Sequence, residues 1–219
     1  MITVTDTIRQ IILETPFLED GLADGIINLS ALARQMKPRI ERELLKPTSE
    51  SAILMALKRM LPDIRLSKKV VETFNKDLSD ITVRSGLCEY TFVKSATILE
   101  KRQQLMQTLR DRQDYFVTFT QGIHEITTIL NSSLKPRITE IFAGEEQVSH
   151  LDDLAAITLQ LTREMVHTPG IHYNILKQLA WQRINVIEVV STYTEFNIIL
   201  EKKQIDRSFK LLFRYLHRT

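Results

Sequence analysis

Cysteine is nearly absent from the chain: Cys88 is the single one in 219 residues. That excludes an intramolecular disulfide and any multi-cysteine zinc or iron–sulfur centre, and a reducing, cytoplasmic setting is the simplest expectation. Glycine is scarce too. The six glycines stand singly, with no G-x-G and no G-K-S/T, so the glycine-rich loops that cradle nucleotide phosphates are missing. A serine nucleophile elbow is also missing. No run approaches the roughly 18 consecutive apolar residues of a membrane span. The opening "MITVTDTIRQ" lacks the basic-then-apolar order of a secretory signal. Charge of one sign is lacking as well: 29 Lys and Arg against 27 Asp and Glu leave +2, which favours neither nucleic acid nor an acidic ligand. His167 and His172 are five apart, off the i, i+4 spacing of a helical metal pair. No catalytic residue, metal or cofactor is expected.

What is present suits an ordinary globular chain, 43% hydrophobic and 26% charged. Residues 1–65 read as a small all-helical module. Ile8, Ile11, Ile12 and Leu13 suggest one helix, and "NLSALARQM" a second, with Ser30 as its cap. Pro38 marks a break or a new start. In "KPTSESAILMALKRMLP", Ile53, Leu54, Leu57, Met60 and Leu61 share a helical face that Pro62 ends. Residues 66–79 read as an exposed connecting helix or linker.

From residue 80 the period becomes alternating. Residues 80–145 give strand, helix, strand, strand, helix, with two extended runs around Gly86 and a hairpin at Gly122. Inward residues of the first helix are Ile98, Leu99, Leu105 and Leu109; Ser132 or Ser133 caps the second. Residues 146–219 repeat the order about 70 residues on: "AITLQLT" alternates, 171–182 is helical, "INVIEVVS" and "EFNIILE" are strands. A final helix faces inward through Ile205, Phe209, Leu212, Phe213 and Leu216, and Asp152-Asp153 caps a turn into the second repeat. Trp181 is expected to pack at its helix end and Cys88 to be a buried strand residue. A ferredoxin-like βαββαβ unit needs a fourth strand after its second helix. The second copy has none, so residues 81–85 are expected to complete its sheet and interlock the halves.

"HTPGIHYNILKQLAWQRINVIEVVSTYTEFNIILEKKQIDRSFKLL" resembles the ACT domain, in particular the regulatory half of aspartate kinases. Pro169-Gly170 stands at the first strand–helix corner, "INV" at 184–186 opens the second strand, Ser191 closes it, and "FNIIL" forms the third. Residues 87–142 share only the order of elements, because "VKSATI" lacks the Pro-Gly corner. The implied fold is α+β: two ferredoxin-like ACT units, 80–145 and 146–219, paired side by side after the helical module. The resemblance implies a free-standing, non-catalytic regulator that binds an amino-acid effector and self-associates through its sheets.

The expected effector residues are His167, Thr168, Pro169, Gly170, Ile171, Asn185 and Val186. Glycine lets a ligand approach the backbone, and the helix that starts there favours a carboxylate. Asn185 offers a donor and an acceptor to an α-amino group. A plain strand-to-helix corner is the alternative. "GIINLSALARQMKP" and "SAILMALKRM" are also similar to the strand, second helix and recognition helix of a winged-helix or helix-turn-helix module. That points to Arg34, Lys58 and Arg59 as DNA contacts, although Glu41, Glu43, Glu50 and Asp63 dilute any cationic stripe. A DNA-binding transcriptional regulator and a ligand-free oligomerisation scaffold are therefore the competing readings; a membrane partner is not expected.

Overall fold

The computed structural model describes residues 3–74, 80–110 and 114–216, without the side chains of 67–74. The chain divides into two compact units, Met1–Phe74 and Asn75–Thr219.

The first unit is helical. α1 (Val4–Glu14) opens with a reciprocal cap, in which Asp6 N–H donates to Thr3 Oγ1 (3.2 Å) and Thr3 N–H donates to the Asp6 carboxylate (3.0 Å). α2 (Leu18–Ala23) enters through left-handed Phe17 and is not evident in the sequence pattern. α3 (Leu29–Leu44) is capped by Asn28, whose Oδ1 accepts from the N–H groups of Ser30 and Ala31 (both 3.0 Å), and not by Ser30. α4 runs Glu50–Phe74. Pro38 lies inside α3 and Pro62 inside α4, so neither proline ends a helix. The apolar face is the reason. Ile53, Leu57 and Met60 before Pro62, and Ile64 after it, share one core with Ile8, Leu22 and Ile40. Burying that face offsets the roughly 3 kcal/mol a mid-helix proline costs. The expected boundary at 65–66 therefore falls within α4; 66–74 is helix rather than linker, and 75–79 lies outside the described residues. Among the described residues the first unit has no strand, so the short strand of a winged helix is not formed.

The second unit is mixed α+β. It comprises β1 (Ile81–Val93), α5 (Ile98–Thr108), β2 (Val117–Gln121), β3 (Glu125–Asn131), α6 (Lys135–Ile141), β4 (Gln147–Gln160), α7 (Arg163–Val166), α8 (Ile171–Trp181), β5 (Glu188–Ser191), β6 (Glu195–Glu201) and α9 (Ile205–Leu216). The six strands form one antiparallel sheet in the order β2-β3-β1-β4-β6-β5. β1 and β4 serve both halves. Leu87–Val93 pairs with β3 and with the start of β4, whereas Ile81–Ser85 pairs with Ala155–Leu159, where the missing fourth strand was expected. Gly86 is a bulge within β1 (φ 72°), not a break between two strands. Its counterpart is Asp153 (φ 52°): Asp152-Asp153 lies inside β4 rather than capping a turn before it.

Alternation assigns the two faces. Cys88, Tyr90, Phe92, Ile126 and Leu130 pack with Ile98, Leu105 and Ile138 of α5 and α6. The other face buries Leu87, Ile129, Leu154, Ala156 and Ile199, with Phe116 and Val190 packed against them. In a flat sheet the β2 and β5 edges would stand about 24 Å apart, five strand spacings. Here Thr120 of β2 lies near enough to Glu188 of β5 to favour that carboxyl's ionised form, so the helix-free face curves toward itself. Two expected inward side chains are not inward, Leu99 being 50% exposed and Phe213 46%, and Trp181, expected to pack at its helix end, is 55% exposed. Trp181 lies 5.3 Å from the Lys177 ammonium rather than in a core. The 132–134 segment is a 3₁₀ turn, and α6 starts at Lys135 with no serine cap.

Candidate functional site

The Pro169-Gly170 turn does not follow β4 directly. Leu161 N–H donates to Thr194 O (2.7 Å), fixing the end of β4 to the β5–β6 hairpin. Thr162 Oγ1 then accepts from Met165 N–H (3.3 Å) and caps α7, a single turn that separates strand from corner. Thr168 closes that turn, through its N–H to Met165 O (3.0 Å) and its hydroxyl to Glu164 O (2.9 Å). Both of its donors are thereby used.

Gly170 precedes α8 in the left-handed region, φ +87°. A Cβ there would meet only Asn174 Nδ2, at 3.5 Å, an ordinary contact. Backbone conformation, not crowding, requires the glycine. Its carbonyl accepts from Asn174 N–H (2.9 Å) and Asn174 Nδ2 (2.8 Å). No side chain caps α8 at this residue. Ile171 is buried at 2% exposure and pins the first turn, while His167, Pro169 and Gly170 are exposed. His167 Nε2 lies 3.4 Å from the Tyr193 hydroxyl. Tyr193, 58% exposed in the hairpin, is a corner residue that sequence reading missed.

Asn185 and Val186 lie between α8 and β5, and β5 starts only at Glu188. β4 and β5 each run antiparallel to β6, so they are parallel to each other. The end of β5 is therefore beside the corner, as Tyr193 shows, and its beginning is at the opposite end of the half-sheet. Within one chain, His167–Ile171 are brought together, and Asn185 and Val186 are not brought to them.

A cleft of about 680 Å³ opens elsewhere, over the β4 bulge, with Leu151, Leu154 and Ile187 as apolar lining and Asp153, Lys202 and Lys203 among its charged groups. None of the expected effector residues lines it. Nearby, Lys135 pairs with Asp152, the chief reason this carboxyl is held below its ordinary range, and His150 Nε2 lies 3.2 Å from Asp152 Oδ1.

Of the expected DNA contacts, Arg34 Nε is 3.7 Å from Glu50, while Lys58 and Arg59 are exposed on α4. Among the described residues, no group of three or more metal-ligating side chains converges, and no helix is long and apolar enough to cross a membrane.

No known family model and no curated protein matches the chain. Solved structures do. The aspartate kinase of Clostridium acetobutylicum is similar with a TM-score of 0.54 at 12% identity, over 64% of this chain and 35% of that one. The structure of aspartokinase alpha and beta subunits gives 0.53 at 12% identity, covering 63% of this chain and 97% of the other. The ligand-free regulatory subunit of aspartate kinase from Thermus thermophilus gives 0.51 at 12% identity, again covering 63% and 97%. The chain thus spans about a third of the Clostridium enzyme and nearly all of the regulatory subunit. At these identities the likeness is one of fold.

Proposed function

We propose that the chain is a non-catalytic regulatory protein that binds an amino acid through two interlocked ACT-like halves, 80–145 and 146–219. The observation that carries this reading is the α8 corner. An 11-residue helix begins at a left-handed glycine that brings no capping side chain, and a helix start of this kind favours a carboxylate. His167 and Tyr193 flank it with polar atoms. The shared fold with aspartate kinase regulatory subunits supports the same reading. Asn185 and Val186 sit at the far end of α8, so a seat that uses them draws on a second copy of the chain, in keeping with a homo-oligomer. The helical unit would pass the signal on to a partner. With Arg34 already met by Glu50, nothing favours nucleic acid over protein there.

Isothermal titration of the full chain with each of the twenty amino acids tests this. One of them is expected to bind saturably, with affinity falling tenfold or more in Gly170→Ala and in a His167→Ala/Tyr193→Phe double variant. Twenty silent titrations of folded protein would remove the sensing role.

A further inference from the structure

The first half has a strand–helix corner of its own, at α5, and there the chain supplies the anion. Glu145, between α6 and β4, keeps only 4% of its side chain exposed. Its Oε2 accepts from Ser95 Oγ (2.6 Å), and its Oε1 from Thr97 Oγ1 (2.7 Å) and Lys101 Nζ (3.0 Å). Ser95 Oγ in turn accepts the first N–H of α5, from Ile98 (3.1 Å), and so relays the helix terminus to the carboxylate. Lys101 Nζ also donates to Ala143 O (2.6 Å), which fixes the ammonium in place. Two hydroxyls, one ammonium and one relayed amide make a complete carboxylate receptor built of charge-assisted bonds.

The halves can be placed in register by their hydrogen bonds. Lys94 N–H to His124 O (2.8 Å) matches Leu161 N–H to Thr194 O (2.7 Å), and Val93 N–H to Glu146 O (2.9 Å) matches Gln160 N–H to Asp80 O (3.1 Å). The second match sets Glu146 against Asp80, where the described residues of the second unit begin. The two corners also differ in length, because α7 is inserted only before α8.

We propose that Glu145 is a tethered stand-in for a ligand carboxylate: the first half holds a small-carboxylate site that the chain keeps filled, which leaves the α8 corner as the one amino-acid seat per chain. The second clause rests on the proposed function; the first does not. The full chain carrying Glu145→Ala is melted in sodium acetate and in sodium chloride at equal ionic strength. The variant should melt below the parent, and acetate, not chloride, should restore the loss saturably at millimolar concentration, in excess of any acetate response of the parent through its α8 corner. If the variant is unfolded in chloride, return of its far-ultraviolet circular dichroism in acetate is the same readout. Glu145→Gln fills the space without the charge and should ignore acetate. Equal responses to both salts, no recovery in acetate, or an equal acetate effect on Glu145→Gln would each overturn the proposal. One amino acid bound per parent chain agrees with the single seat, and two would contradict it. Absence of amino-acid binding would end the proposed function and leave the acetate result to decide the filled site alone.

Discussion

Glu89→Gln probes the inward fold of the sheet. Glu89 lies on β1, 8% exposed, on the face that carries Leu87 and Ile129. It faces Glu188 of edge strand β5, and Thr120 of β2 lies near that carboxyl. Glu89 Oε2 is buried with no donor while both carboxyls are ionised, and one proton between them supplies it. Burial first, and then the Glu188 charge, pushes the Glu89 carboxyl up to about 7 from an ordinary 4.5. Glu188 is displaced upward too, by burial. An acid whose folded value is raised binds more protons in the folded state. Stability contributed by this pair is therefore full below pH 4.5 and is lost as pH rises towards 7. The displacement is equivalent to at most about 3 kcal/mol, or about 6–12 °C in melting temperature for a unit of this size. Glutamine keeps the shape and removes the charge. In urea titrations read by circular dichroism from pH 4.5 to 8.5, Glu89→Gln should match the parent at the acid end and exceed it by about 1–3 kcal/mol at pH 8. Parallel curves over the whole range would refute a carboxyl pair buried between the two half-sheets.

Other perturbations follow from single features of the fold. Pro62→Ala should stabilise the helical unit by up to about 3 kcal/mol in thermal melts, because the proline lies inside α4. Gly170→Ala should cost about 1–2 kcal/mol in urea titrations, since the cost comes from φ +87° and not from a clash. Ile157→Ala, at a fully buried β4 position, should cost about 2–5 kcal/mol in the same assay. Lys135→Met should leave the urea midpoint at the parent's value, because its partner Asp152 is on the surface.

The second half was the most legible part of the sequence. Its strand alternation from 156 onward, the start of α8 at Ile171 and the limits of β6 can all be read from period and glycine placement. Those signals are local, and so are the forces that set them. Other features depend on distant partners. β1 passes through Gly86 as one strand because two different neighbours pair with its two ends. Pro38 and Pro62 read as stops because propensity is local, whereas the face they interrupt is buried by other helices. α7 is too short, at four residues, to show a period. Of the candidate site, the run 167–171 was legible and its completion was not. Tyr193 reaches the corner only through strand direction, and the same geometry takes Asn185 away from it. Glu145 gave no signal, since its partners Ser95, Thr97 and Lys101 lie more than forty residues upstream.

The proposed sensing role places an amino-acid carboxylate at the exposed start of α8. Backbone amide shifts of the full chain, followed by nuclear magnetic resonance during titration with the amino acid that binds, test it most directly. The largest changes are expected at Gly170, Ile171 and His172, with smaller ones at His167 and Tyr193. Changes centred instead on Asp153, Lys202 and Lys203, around the cleft over the β4 bulge, would contradict it.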